Sequence, residues 1–177
     1  GLGSASSNAA AIIRILKKLD YKEMKTIDFS KIGADVPLFV ENQDSLVRGI
    51  GDITIKQLFP KYYFLLIKPI QNCSTEEMYN EVNINELKFD INFDTDEISE
   101  FDMGNDFEVI AERKYPEIST FLKFMRGFSD VIFSRLTGSG SCIYSVFEKK
   151  DSAEKALKLF KKRFPDHWGV VAENNFL

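Results

Sequence analysis

Apolar residues recur at helical spacing near the start of the chain, and this spacing predicts a helix over residues 7–19. The apolar residues with this spacing are Ala9, Ile12, Ile13 and Leu16. The predicted N-cap is Ser6, Ser7 or Asn8, because such side chains accept hydrogen bonds from free backbone N–H groups. A second, shorter helix is predicted over residues 21–32, where Gly33 ends it.

The apolar residues that follow come in shorter runs, which are typical of strands. Residues 38–40 and 46–50 have the pattern of a hairpin, and the two glycines in residues 49–52 predict a turn. Residues 62–68 predict a buried strand, which Pro69 ends. The first third of the chain is therefore predicted to mix helices and strands.

The rest of the chain also alternates between helical and strand patterns. The predicted helices before its last part cover residues 76–81, 105–114 and 116–126. The end of the chain has the order β-β-α-β, with predicted elements over residues 131–136, 142–147, 152–163 and 168–172. Residues 83–104 are acidic and irregular. The change of pattern predicts a boundary between residues 58 and 70, and hence domains over residues 1–58 and 59–177.

Composition and charge exclude several classes of protein. Apolar residues make up 44% and charged residues 28% of the 177 residues, a balance typical of globular domains. The net charge is −4 and no stretch concentrates Lys and Arg, which argues against a nucleic-acid partner. The longest apolar run, residues 62–67, is too short to cross a bilayer, so no membrane partner is predicted.

The scarcity of cysteine and histidine narrows the possible chemistry. Cys73 and Cys142 are the two cysteines and form no C-x-x-C pair, which favours reduced thiols, with a structural disulfide left as the alternative. His167 is the one histidine and is predicted to pack near the last strand. A Ser-His-Asp triad or a structural zinc site is therefore not predicted.

Three short segments carry candidate chemistry. The first puts two glycines and three serines in front of a helix, where backbone N–H groups and the helix dipole can bind phosphate. Its residues are Gly1, Leu2, Gly3, Ser4, Ala5, Ser6, Ser7 and Asn8. A flexible connection would have a similar composition, and no Gly-Lys-Ser/Thr follows, so this segment is not a Walker A loop.

The other two segments are equally ambiguous when each is taken alone. Asp35, in residues 33–37, is either a turn or capping residue or a catalytic carboxylate. Gly138 and Gly140, in residues 135–141, lie between two predicted strands and form either a tight turn or a ligand cradle. None of the three segments decides the function separately.

Taken together, the three segments resemble the GHMP small-molecule kinases, a superfamily named for galactokinase, homoserine kinase, mevalonate kinase and phosphomevalonate kinase. The resemblance spans essentially the whole chain, with the motifs in the order of the family. It implies an α+β, two-domain fold. An incomplete N-terminal ATP-binding part, similar to domain 2 of ribosomal protein S5, would be followed by a ferredoxin-like α/β domain.

Five shorter motifs are similar to one branch of this superfamily, whose members phosphorylate a cytidyl-diphosphate sugar alcohol on the non-mevalonate route to isoprenoids. These motifs lie at residues 6–10, 33–37, 105–108, 116–118 and 139–142. The alternatives are another GHMP kinase of homoserine or mevalonate type, or a truncated, inactive binding module of the same fold.

The resemblance also implies roles for particular residues. Residues 1–8 match the loop that holds the ATP phosphates, with the hydroxyl of Ser6 or Ser7 near Mg²⁺. Asp35 matches the general base that contacts the substrate hydroxyl. The late loop beside the substrate is matched by Thr137, Gly138, Ser139 and Gly140. ATP, Mg²⁺ and a small-molecule alcohol are the implied ligands, and a monomer or homodimer is the implied state.

The chain departs from the family pattern at two loops and at its start. Residues 1–8 have fewer glycines than the family loop, and residues 41–43 stand where the family tends to place glycine. The catalytic lysine and the cytosine pocket of the family are expected upstream of Gly1. These 177 residues are therefore expected not to turn over substrate alone. The expected location is the bacterial cytoplasm, or a plastid stroma.

Overall fold

The structure is a computed structural model. It describes residues 2–49, 51, 53–84 and 104–174. The chain divides into two compact units, one covering Gly3–Pro60 and the other covering Lys61–Leu177 together with residues 1–2. Each unit contains both helices and strands.

In the unit of residues 3–60, helix α1 (Ser4–Lys18) packs against the short helix α2 (Val36–Glu41). The helix predicted over residues 21–32 is wrong, because two short 3-10 turns, Lys22–Lys25 and Phe29–Lys31, occupy this region. Asp28 separates them, since its carboxylate accepts bonds from the backbone N–H and the hydroxyl of Ser30, at 3.1 and 2.6 Å. Such local bonds compete with a continuous helix.

The strand predicted over residues 38–40 is also wrong, because these residues belong to α2. Pro37 lies in the first turn of this helix, where its missing N–H costs nothing. Asn42 then adopts a left-handed conformation, with φ 49°, and ends the helix. The chain therefore turns into the hairpin later than the sequence pattern suggested.

The hairpin itself joins β1 (Ser45–Arg48) to β2 (Ile53–Lys56), in an antiparallel register that places Leu46 opposite Ile55. Gly49 and Gly51 have φ angles of 67° and 99°, as the predicted turn requires. The other two residues of that turn lie outside the described residues.

The second unit is built on a four-stranded antiparallel sheet of order β4-β5-β3-β6. Its strands are β3 (Tyr63–Lys68), β4 (Phe133–Leu136), β5 (Ile143–Phe147) and β6 (Trp168–Glu173). Each lies within one or two residues of its predicted position. Helices separate β3 from β4 and β5 from β6, and the order of the strands across the sheet is that of a ferredoxin-like domain.

Helices pack on this sheet and close its core. They are α3 (Thr75–Asn80), α4 (Asp106–Lys114), α5 (Pro116–Arg126) and α6 (Lys150–Arg163). All four match predicted helices. Most of the acidic region predicted to be irregular, residues 83–104, lies outside the described residues. Among the helices of the described residues, none is long and apolar enough to cross a membrane.

A cluster of aromatic residues lies in the core between the sheet and helices α5 and α6. The rings of Phe121 and Phe160 meet edge to face with their centroids 5.2 Å apart. Each buried phenylalanine contributes about 1.5–3 kcal/mol through the hydrophobic effect. His167 packs its ring against Phe121 at 4.7 Å, so its predicted role as a packing residue near the last strand is confirmed.

Candidate functional site

Gly3 determines how the candidate phosphate loop enters α1. It is the N-cap residue and has a left-handed conformation, with φ 63°. A Cβ atom at this position would fall 2.8 Å from two ring carbons of Phe39 in α2, so a side chain would be both strained and obstructed. The prediction that a serine or an asparagine is the N-cap of this helix is wrong. The helix begins earlier, at Ser4, where α1 packs closely on α2.

The first turn of α1 has unused hydrogen-bond donors. No side chain of the described residues caps this helix. The N–H of Ser7 donates to the carbonyl of Gly3 at 2.9 Å and is the first intrahelical bond. The preceding N–H groups therefore have no acceptor within the helix, and the positive end of the helix dipole lies at the same place. This end of α1 suits a phosphate group.

The serine hydroxyls of this turn differ in their contacts. Ser7 donates its hydroxyl proton to the carbonyl of Ser4 at 3.1 Å, which leaves the lone pairs of its oxygen to accept. The hydroxyl oxygen of Ser6 points toward Gly33, at 3.8 Å from the position that a Cβ there would occupy. Residues Leu2, Ser4, Ala5 and Asn8 are exposed. Gly1 lies outside the described residues.

Asp35 is exposed and is placed at the start of α2. It is the N-cap residue of this helix, yet its side chain makes no capping bond to the described residues. Its backbone carbonyl accepts the N–H of Phe39 at 3.3 Å, and a turn before it joins Val36 N–H to Gly33 carbonyl at 3.0 Å. Hydrogen bonds thus fix the backbone around Asp35, while its carboxylate does not cap α2.

The structure brings the first two candidate segments together. Gly33 faces Ser6, and the helices that these segments start, α1 and α2, pack on each other. The segment of Asp35 therefore lies beside the first turn of α1, within one compact unit. Phosphoryl transfer uses backbone N–H donors for the phosphates and a carboxylate for the attacking hydroxyl, and the two segments carry one of each.

The third candidate segment is a tight turn in the second unit, between β4 and β5. Thr137 N–H donates to Cys142 carbonyl, and Gly140 N–H donates to Thr137 carbonyl, both at 2.9 Å. Gly138 and Gly140 have φ angles of 49° and 93°, which glycine adopts without strain. We call residues 137–141 the late loop.

Side chains from distant parts of the chain hold the late loop. Thr75 and Ser139 share a hydrogen bond between their hydroxyls, at 3.0 Å. A Cβ atom on Gly140 would fall 2.9 Å from the sulfur of Cys73. Neither contact was predicted from the sequence, because local patterns do not indicate which residues meet when they lie 64 or more positions apart.

Asn105 also contacts the late loop, although the sequence predicted it only as the start of a helix. Its side chain caps α4 by accepting the N–H of Phe107 at 3.0 Å, and its amide donates to Gly138 carbonyl at 2.9 Å. The motif at residues 105–108 was the signal that could have pointed to this role. Its composition nevertheless indicates a helix cap first.

Both cysteines are free thiols, as predicted. Cys142 is buried and Cys73 is half-buried. Burial raises the pKa of the Cys73 thiol, so little nucleophilic thiolate forms at neutral pH. No cluster of three or more histidine, cysteine, aspartate or glutamate side chains in the described part of the chain could hold a metal ion.

Comparison with known proteins identifies the class of the second unit. Residues 92–166 match the family model described as GHMP kinases C terminal. This stretch of the second unit is thus similar to the C-terminal domain of GHMP kinases, and the α+β fold class predicted from the sequence is confirmed.

The relatives that match almost the whole chain are named 4-diphosphocytidyl-2-C-methyl-D-erythritol kinase. The one from Pelagibacter ubique is 30% identical over 98% of this chain and 64% of its own length. The one from Francisella tularensis is 36% identical over 98% and 62%. The one from Buchnera aphidicola is 32% identical over 92% and 56%. The chain therefore spans less than two thirds of the length of these curated relatives.

A solved structure has the same fold. It is a crystal structure of 4-(cytidine 5'-diphospho)-2C-methyl-D-erythritol kinase, with a TM-score of 0.76 and 22% sequence identity. The match covers 98% of this chain and 66% of the crystallised one. At this identity the likeness concerns the fold.

Proposed function

We propose that the protein containing this chain is an ATP-dependent 4-diphosphocytidyl-2-C-methyl-D-erythritol kinase of the non-mevalonate route to isoprenoid precursors. It would transfer the γ-phosphoryl group of ATP to the 2-hydroxyl of its substrate. The observation that carries this proposal is the uncapped first turn of α1 with the Asp35 segment beside it. The names of the relatives supply the substrate.

The ATP phosphates would be held by the first turn of α1. The free N–H groups of residues 3–6 supply donors that need no reorganisation when a phosphate arrives. The hydroxyls of Ser6 and Ser7 are hard oxygen ligands of the kind that Mg²⁺ prefers. Mg²⁺, when bound, neutralises charge on the β- and γ-phosphates. In this proposal, these hydroxyls and the oxygens of the phosphates would bind Mg²⁺.

Asp35 would act as the general base. Its carboxylate accepts the proton of the substrate hydroxyl as the oxygen of that hydroxyl forms its bond to the γ-phosphorus. The bond from this phosphorus to the bridging oxygen breaks, and ADP leaves. The carboxylate makes no cap bond to α2, so it is available to a hydroxyl within hydrogen-bond reach. Orientation matters most in such transfers, and the fixed backbone of Asp35 supplies it.

The late loop would form the floor of the active site beside the substrate. Thr137, Gly138, Ser139 and Gly140 lie in a turn that two hydrogen bonds fix, so their backbone groups are preorganised. In this proposal, residues 1–58 are the remaining part of an ATP-binding domain, and residues 59–177 are the C-terminal domain. A cytoplasmic location and a monomeric or homodimeric state stay predictions.

A coupled assay of ADP release tests the proposal in the protein expressed from its complete gene. The cytidyl substrate, homoserine and mevalonate are each supplied with ATP and Mg²⁺, with a reaction lacking any acceptor as the control. We expect acceptor-dependent ADP release with the cytidyl substrate, at a kcat/KM at least about a hundredfold above the other two. A preference for homoserine or mevalonate would instead support another GHMP kinase.

The gene sequence upstream of Gly1 distinguishes the proposed enzyme from the other alternative, an inactive binding module. A preceding segment with a lysine in a predicted first strand would support an enzyme. A stop codon or unrelated sequence there, together with no ADP release, would support an inactive binding module. The isolated 177 residues should show no ATP-dependent phosphorylation, and measurable turnover by them would contradict this expectation.

A further inference from the structure

Strand β4 ends at the late loop and lies at an edge of the sheet, paired only with β5 among the described strands. Its last residue, Leu136, precedes Thr137, whose N–H donates to the carbonyl of Cys142, the residue just before β5. Backbone groups of successive residues alternate in direction along a strand. The N–H and carbonyl of Leu136 therefore point away from β5, toward the side where a further strand would pair.

The first turn of α4 takes the place of that further strand. The carboxylate of Glu108 accepts the N–H of Leu136 at 2.7 Å. The amide of Asn105 donates to the carbonyl of Leu136 at 2.8 Å and to the carbonyl of Gly138 at 2.9 Å. One helical turn thus satisfies both groups of the last strand residue and reaches into the late loop.

Both of these side chains are themselves fixed. The amide oxygen of Asn105 accepts the N–H of Phe107, which determines the orientation of the amide. A rotation by 180° would place the NH₂ group against this N–H and the oxygen against the two carbonyl oxygens. The second carboxylate oxygen of Glu108 is bound by the guanidinium of Arg126. Arg126 also pairs with Glu112 at 2.9 Å. The hydrogen bonds by which Asn105 and Glu108 bind Leu136 and the late loop are therefore held in one geometry.

We propose that Asn105 is a positioning residue, which sets the late loop in the geometry that the substrate requires. This inference rests on the proposed function, in which the late loop contacts the substrate. Its amide binds the carbonyls of Leu136 and Gly138, the residues on either side of Thr137. Movement of this turn would displace the backbone groups of the late loop, which the substrate meets in the proposed function.

The variant Asn105→Asp tests the inference. Aspartate caps a helix as well as asparagine does, so the bond to Phe107 N–H is kept. The two donated bonds are lost, because a carboxylate oxygen then faces two carbonyl oxygens. In the protein from the complete gene, we expect the KM for the cytidyl substrate to rise about tenfold while the KM for ATP stays within about twofold. Simple loss of folded protein would lower kcat and leave both KM values unchanged.

Amide hydrogen exchange supplies a measurement that does not depend on activity. The N–H of Gly140, which closes the late loop, should exchange at least about tenfold faster in Asn105→Asp. Asn80→Asp is the matched control, because Asn80 is an exposed asparagine at the end of α3. It should change neither the KM values nor the exchange rate.

The outcomes separate this inference from the proposed function. An unchanged exchange rate at Gly140, or unchanged KM for the cytidyl substrate in an active protein, would overturn the positioning role of Asn105. If the unaltered protein phosphorylates no acceptor, the proposed function is overturned instead. The exchange rate then decides by itself whether Asn105 holds the late loop.

Discussion

Gly51 lies directly against Ala34, the residue before the candidate base. A Cβ atom on Gly51 would fall 2.7 Å from the carbonyl oxygen of Ala34, and Gly51 has a φ of 99°. The turn of the hairpin thus supports the backbone of the segment that carries Asp35. Both the left-handed conformation and the close approach require glycine at this position.

The variant Gly51→Ala should destabilise the unit of residues 3–60. The positive φ costs a non-glycine residue about 1–3 kcal/mol, and the carbonyl of Ala34 must move as well. We expect a lower midpoint of thermal unfolding and, on the proposed function, a lower kcat, because the backbone of Asp35 shifts.

Gly104→Ala is the control for this change, since no atom of the described residues lies within 4 Å of its added Cβ and its φ is not positive. It should alter stability by less than about 0.5 kcal/mol. Equal effects of the two substitutions would show that the contact with Ala34 is unimportant.

Two glycines of the late loop should differ in their tolerance of alanine. Gly138→Ala places its Cβ in open space and should cost about 1 kcal/mol for the left-handed conformation alone. Gly140→Ala brings its Cβ within 2.9 Å of the Cys73 sulfur and 3.3 Å of Leu136, and should cost about 3 kcal/mol. Urea unfolding of both variants measures the difference.

A second substitution isolates the steric part of that cost. Cys73→Ala removes the sulfur atom that the new methyl group meets. The double variant Cys73→Ala/Gly140→Ala should therefore lose less stability than the sum of the two single changes. Strict additivity would mean that backbone strain, rather than the contact with Cys73, limits Gly140.

Asp35→Asn tests the proposed base in the protein from the complete gene. The amide keeps the size of the side chain but cannot accept the substrate proton. We expect kcat to fall by at least about a hundredfold, while the KM for ATP changes little. A kcat within about threefold of the unaltered protein, roughly 0.65 kcal/mol, would exclude Asp35 as the base. Asp44→Asn, a substitution in the same unit, provides the comparison.

Asp130 should make the attachment of α6 depend on pH. Its carboxylate accepts the hydroxyl of Ser152 at 2.9 Å, and this bond together with that of Ser129 lowers the pKa of Asp130. A lowered pKa in the folded state stabilises the protein above the unfolded-state pKa of about 3.9, and this stabilisation is lost as the pH falls through the folded value.

The variant Asp130→Asn should therefore unfold at a lower temperature than the unaltered protein at neutral pH, and the two midpoints should converge below about pH 4. Calorimetric scans across this range measure the difference. Asp166→Asn, an exposed aspartate in the same unit, is the control. A gap between Asp130→Asn and the unaltered protein that persists at low pH would rule out the carboxylate as its cause.

Local sequence signals predicted most of the second unit. Asn105 caps α4, Pro116 begins α5, and apolar spacing marks α6 and the strands, because each of these signals acts within a few residues. The same kind of signal was wrong over residues 21–32 and 38–40. In the first of these segments, the carboxylate of Asp28 accepts a hydrogen bond from the N–H of Ser30, which competes with a continuous helix. In the second, Pro37 favours the first turn of a helix over a strand.

The candidate site was predictable as a set of segments but not as an arrangement. Residues 1–8, Asp35 and the late loop stand out by composition and by resemblance to a family. The proximity of Gly33 to Ser6 could not be predicted from the sequence, because most of α1 and the turns after it separate the two residues along the chain. The assignment of roles to these residues stays a prediction.

The sequence by itself determined the helix and strand pattern of residues 61–84 and 104–174, the family resemblance and the identity of the chemically capable groups. The tertiary structure decided what those groups contact. Asn105 is a helix cap by sequence, yet it also bonds to Leu136 and Gly138, more than 30 positions away. Local preferences depend on neighbours within about one helical turn, whereas such contacts exist only after the chain has folded.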